Sequence, residues 1–184
     1  MSAISAEHPS CAERREGEGA RVARAWAVLG TVPDPEVPAL SICDLGIVRD
    51  VIAHDEELEV VLTPTYSGCP ATEVIERSVR EALEIDGLGP VRVWFRLAPA
   101  WTTDWMTSQG KEKLREYGIA PPGPVDADGS VRIRFFGPRA SVPIHCPRCD
   151  SPRTERLSQY GSTACKAMYR CTSCHEPFEY FKPI

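Results

Sequence analysis

Two Cys-x-x-Cys pairs constrain this chain more than any other feature: Cys146-Pro-Arg-Cys149 and Cys171-Thr-Ser-Cys174, separated by 21 residues. Each pair puts two thiols on one tight turn, and two such turns complete a tetrahedron around one cation. The spacing predicts a four-cysteine zinc ribbon in which Phe178-Glu-Tyr-Phe181 forms a short strand beside the second knuckle. Two disulfides, or four unrelated core cysteines, are the other readings of the pattern. A mononuclear iron site could use the same four ligands. A closed four-sulfur set leaves no coordination position for a substrate, so the site reads as structural Zn(2+) and as a docking platform.

The other cysteines fit a reducing compartment. No Lys/Arg-led apolar segment opens the sequence and no apolar run reaches the ~20 residues of a membrane span. A cytoplasmic protein is therefore expected. There, eight cysteines point to metal or thiol chemistry and not to a disulfide framework. A net charge of −5 argues against a nucleic-acid partner. From Arg139 onward seven Lys/Arg face four Asp/Glu, which leaves −8 on the rest. That step supports a domain boundary, and the basic excess offsets four thiolates on a divalent ion.

Four segments follow from the pattern. Residues 1–19 lack periodicity and read as a tail. Residues 20–98 read as a compact α+β domain of order α-β-β-α-β. Val22, Trp26 and Leu29 recur at helical spacing, and three prolines in 31–38 forbid the helix to continue. Residues 46–53 and 58–63 form a hairpin, and Val91 begins another strand, over 91–97. Pro70 suits the first turn of a second helix whose buried stripe is Ile75, Val79 and Ala82/Leu83. Residues 99–130 carry Trp101, Trp105, a helix near 108–117 and a stiff linker at Pro121-Pro-Gly-Pro124. The zinc ribbon then occupies 131–184, opening with a strand over 131–136.

Outside the ribbon, Cys69 stands out because it precedes the start of a helix, where free N–H groups and the dipole favour thiolate. Asp34 and Glu36 sit in the proline-rich loop and offer hard oxygen ligands. The plainer readings are a small buried thiol and turn chemistry. Cys43 is expected to pack. Cys165 lies between the knuckles and is a weak candidate for a fifth thiol near the metal. The four histidines form no spaced pair, though His145 and His175 each adjoin a knuckle cysteine. There is no phosphate loop, no Glu-x-x-His pair and no Ser/His/Asp constellation, which lowers an enzymatic reading.

Asp34-Pro-Glu-Val-Pro38, Asp44-Leu-Gly-Ile-Val48 and Thr63-Pro-Thr-Tyr-Ser-Gly-Cys-Pro70 resemble the metal–sulfur cluster assembly family over about 20–98. Its cysteine falls on Cys69 and its acidic motif on Asp34 and Glu36. Pro99-Ala-Trp-Thr-Thr-Asp-Trp-Met106, Gly118-Ile-Ala-Pro-Pro122, Gly161-Ser-Thr-Ala-Cys-Lys166 and Glu176-Pro-Phe178 resemble the D-subunit family of the bacterial ring-1,2-phenylacetyl-CoA epoxidase system. The resemblance implies an accessory, non-catalytic component of aerobic phenylacetate degradation. It would assist maturation of a di-iron or iron–sulfur centre, with iron or a cluster held transiently and the oxygenase or reductase subunits as partners. A scaffold that docks on the complex without metal transfer, using Trp101 and Trp105 as anchors, is the alternative.

Overall fold

The computed structural model describes residues 19–66, 68–123 and 143–184. The chain divides into two compact units, Met1–Gly110 and Lys111–Ile184. The expected strand over 131–136 and most of the expected tail lie outside the described residues.

The first unit follows the anticipated α+β order. Helix α1 (Ala20–Leu29) buries Val22, Ala25, Trp26 and Leu29, one stripe at helical spacing. Strands β1 (Val48–Ala53) and β2 (Leu58–Leu62) pair antiparallel. Helix α2 (Thr72–Ile85) then carries the chain across to β3 (Val91–Phe95), which runs parallel to β2. A parallel neighbour requires such a crossover. The sheet order is β1-β2-β3. Leu58, Val60 and Leu62 alternate along β2 with no exposed surface, and pair in register with Val91, Val93 and Phe95. Ile75, Val79 and Leu83 of α2 are buried with them in the same unit, while Ala82 is only half-buried. Each fully buried aliphatic side chain stabilises the fold by about 1.5–3 kcal/mol. Arg21 fastens α1 in place. Its guanidinium donates to the carbonyls of His54, Asp55 and Glu56 in the β1–β2 turn, and to Leu88 before β3.

Several boundaries shift from expectation, each for a local reason. β1 begins at Val48, not 46, because Gly46 sits at φ +68° in a turn. α2 begins at Thr72, two residues beyond Pro70, because turns close ahead of it: Cys69 N–H donates to Tyr66 O and Thr72 N–H to Cys69 O. α2 ends at Ile85 with Asp86 as its C-cap, ahead of Gly87 at φ +74°, as expected.

The tryptophan segment covers the first unit. Trp101 is buried and its Nε1 donates to Leu45 O at 2.9 Å. The 3-10 turn Thr103–Trp105 brings the Trp105 backbone against Gly46, where an added Cβ would lie 2.9 Å from the Trp105 Cβ and overlap its carbonyl oxygen. The Arg49 guanidinium stacks 3.5 Å from the Trp105 ring centroid. Thr107 N–H donates to Asp44 O. Cys43 is buried as expected, but its thiol is engaged in a disulfide.

Helix α3 (Ser108–Tyr117) closes on Gly118, at φ +92°. The second unit is a four-stranded sheet of order β4-β7-β6-β5, from β4 (Ile119–Ala120), β5 (Thr154–Ser158), β6 (Lys166–Cys171) and β7 (Pro177–Phe181). β4 runs parallel to β7, and the other pairs are antiparallel. Inside it, the Lys166 ammonium, 4 % exposed, meets the Glu179 carboxylate at 3.0 Å. The same carboxylate accepts the Ser162 N–H and fixes the β5–β6 loop.

Candidate metal centres

The ribbon hairpins bring the two knuckles together. Cys146 N–H donates to Ser151 O and Asp150 N–H to Cys146 O, closing the first turn, while Cys171 N–H donates to Glu176 O across the second. Asp150 (φ 58°) and His175 (φ 64°) each follow the second cysteine of a knuckle in left-handed backbone. Asp and His tolerate that region better than most residues. His175 thus stands at the same turn position as Asp150. Within the other knuckle, His145 Nδ1 lies 2.9 Å from Asp150 O. Hydroxyls of Ser151 and Ser173, 2.7 Å apart, join the knuckles.

The four sulfurs of Cys146, Cys149, Cys171 and Cys174 lie within 4.8 Å of one another. Cys146 and Cys174 are 3.8 Å apart, and Cys149 and Cys171 3.6 Å. Four thiolates about 2.3 Å from one tetrahedral ion would stand about 3.8 Å apart, so the donor set fits a single metal ion. Contacts among the thiols also shift the ionisation of Cys149, Cys171 and Cys174. The Cys174 N–H, with that of Ser173 and the neighbouring thiols of Cys149 and Cys174, pulls Cys171 down to about 6 against its burial. The Ser151 N–H favours thiolate at Cys149, yet the Cys174 sulfur, burial and the sulfurs of Cys171 and Cys146 push it up to about 12. A bound cation would offset the mutual repulsion of such neighbouring thiolates. Cys165 does not join them. It is buried, and its sulfur lies 3.0 Å from Thr163 Oγ1.

The first unit holds a second arrangement. A small cavity of about 20 Å³, room for roughly one water or ion, is lined by Asp34, Thr65, Cys69 and Thr72 with Ile47, Pro64, Ile75 and Phe95. The fold therefore brings Cys69 to Asp34 across 35 residues of sequence. Asp34 is buried, and its Oδ1 accepts the N–H groups of Glu36 and Val37 at 3.0 and 2.8 Å. The turn chemistry and the placement beside Cys69 coexist in one side chain. Glu36 is half-buried and takes no part in the cavity wall. Thr72 and Phe95 were not apparent from sequence as members of this site. The one available signal was a threonine three residues beyond the cysteine.

Comparison with known proteins fits both halves. Residues 133–182 match the PaaD zinc beta ribbon domain, and residues 23–94 match an iron–sulfur cluster assembly protein family. The chain is 52 % identical over 159 residues to an Escherichia coli K12 protein described as the putative D-subunit of the 1,2-phenylacetyl-CoA epoxidase, covering 86 % of this chain and 91 % of that one. The chain belongs to the phenylacetyl-CoA epoxidase D-subunit family. It is also 33 % identical over 89 residues to an Fe-S protein maturation auxiliary factor of Porphyromonas gingivalis W83, covering 47 % of this chain and 84 % of that protein. A solved domain of unknown function, DUF59, from Bacillus anthracis is similar at 28 % identity and a TM-score of 0.49, over 52 % of this chain and 92 % of its own. Among the described residues no helix is long and apolar enough to cross a membrane.

Proposed function

We propose that this chain is an accessory protein of aerobic phenylacetate degradation that helps to mature a metal centre of the phenylacetyl-CoA epoxidase. The observation that carries this reading is the meeting of Cys69 and Asp34 in one cavity, within the region that matches the iron–sulfur assembly family. A thiolate and a carboxylate form an incomplete ligand set, suited to holding iron, or one corner of a cluster, that must be released again. Glu36 lies two residues from Asp34, at the cavity's margin in sequence only, and joins if the loop rearranges around the cargo. The client is the di-iron oxygenase or the iron–sulfur reductase, and the work is done in the cytoplasm without catalysis by this chain.

In this reading Cys146, Cys149, Cys171 and Cys174 hold Zn(2+). When bound, the ion supplies the charge that four neighbouring thiolates need, and with it the folding of the ribbon. Two of the four, Cys146 and Cys171, are fully buried, and the Ser151 and Ser173 hydroxyls meet between the knuckles. The scaffold alternative draws less support. Trp101 is consumed in the core of its own unit, and Trp105 stacks on Arg49.

The test is to purify the oxygenase from cells carrying Cys69→Ala in this chain and to measure iron per protein and epoxidation rate. Iron content and activity should both fall, and in-vitro iron loading should restore them. Normal iron and normal activity would defeat the maturation reading and favour a scaffold.

A further inference from the structure

α2 opens without a side-chain cap, with Ala71 at the N-cap position. Thr72 follows, and a hydroxyl near a helix start ordinarily accepts a hydrogen bond from one of the unsatisfied N–H groups. Here the polarity is reversed. Thr72 Oγ1 donates backward to the Cys69 carbonyl at 2.8 Å. The same carbonyl accepts the Thr72 N–H at 3.3 Å, and the Cys69 N–H donates to Tyr66 O at 3.2 Å. The Cys69 residue is thus held from both sides, and its shortest hold is the hydroxyl. That bond does nothing for the orphan donors of α2. Its effect falls on the residue three positions upstream. Thr72 and Cys69 also line the same cavity, together with Asp34. The branched side chain limits the rotamers through which the hydroxyl could escape.

We propose that Thr72 is a positioning residue for Cys69: its hydroxyl, bonded to the Cys69 carbonyl, keeps that cysteine in the wall of the cavity it shares with Asp34. The functional weight of this hold rests on the maturation reading above, but the hold itself can be measured without it.

The experiment uses the full chain with its ribbon saturated with zinc and follows iodoacetamide alkylation of Cys69 by peptide mass spectrometry, in wild type, Thr72→Val and Thr72→Ser. Val keeps the shape and removes the donor. Cys69 in Thr72→Val should be alkylated about fivefold faster, the factor one ordinary hydrogen bond confers. Thr72→Ser, which restores the donor, should return to the wild-type rate. Equal rates in Thr72→Val and wild type would overturn the proposal, as would a Thr72→Ser protein that reacts as fast as Thr72→Val. Should Thr72→Val fail to fold, Thr72→Ala deletes the same donor with less bulk and carries the same two outcomes. An oxygenase with normal iron in Cys69→Ala cells would remove the maturation reading and leave this result standing. Unchanged alkylation in Thr72→Val would do the reverse.

Discussion

At the residue scale the least expected feature is a buried lysine. Lys166 and Glu179 are paired at 3.0 Å with side chains 4 % and 18 % exposed. Removing one partner of such a pair strands the other charge. Glu179→Gln should lower the stability of the second unit by about 3 kcal/mol, the low end for a buried pair because Glu179 keeps some contact with water. Chemical denaturation with the metal bound would measure it. The pH dependence follows the same pair. Burial pushes the Glu179 carboxyl up, but the Ser162 N–H and the Lys166 ammonium outweigh it and hold the group below its ordinary value of 4.5. A carboxyl lowered in the folded state contributes stability above its unfolded value, and that contribution is lost as pH falls through the folded one. Wild type should therefore lose more stability than Glu179→Gln on acidification below about 4.5. Parallel pH profiles would contradict the assignment. No local signal marks this pair in the sequence: 13 positions separate Lys166 from Glu179, and only the pairing of β6 with β7 brings them together.

Among the elements, two left-handed glycines in the first unit separate strain from close approach. Gly46 (φ +68°) lies under the Trp105 backbone, and Gly87 (φ +74°) faces open space. An alanine at Gly87 meets only the left-handed penalty, about 1–2 kcal/mol. An alanine at Gly46 meets that and also overlaps the Trp105 carbonyl oxygen, which forces the turn, or the 3-10 segment above it, to shift at about 1–3 kcal/mol more. Melting of Gly46→Ala and Gly87→Ala should show the larger loss at Gly46. Equal losses would mean that the tryptophan segment yields freely. The helices and strands themselves were readable, because apolar spacing of 3.6 or 2 is written into consecutive residues. The placement of the tryptophan segment was not. Nothing local tells Trp101 that its acceptor is the carbonyl of Leu45.

For the whole molecule, the two units differ in what holds them together. The first buries continuous apolar stripes from α1, α2 and the sheet. The second has a small cluster made of Ala120, Phe178 and the cysteines Cys146 and Cys171, with Ile144, Tyr169 and Tyr180 packed against it. Half of that cluster's buried residues are thiols of the proposed metal site, so a bound ion would contribute folding free energy outright. Chelation, or Cys146→Ser, should abolish the β-structure of residues 143–184 while the first unit keeps its helical signal. Circular dichroism with elemental analysis of the untreated protein tests both the dependence and the identity of the metal. Intact ribbon structure after complete metal removal would contradict it.

The sequence by itself determined what adjacent residues dictate. The α+β order followed from periodicity, and the ribbon followed from two short turns that each hold two thiols. Tertiary structure alone decided the rest: that Asp34 rather than Glu36 lines the cavity with Cys69, that Cys165 packs apart from the four clustered sulfurs, and that Trp101 is buried in its own unit. The reason is physical. A turn or helix fixes distances over three or four residues through backbone geometry, whereas a contact across 35 residues depends on strand register, crossover and loop closure. Those are set by the packing of the whole unit and by no local motif.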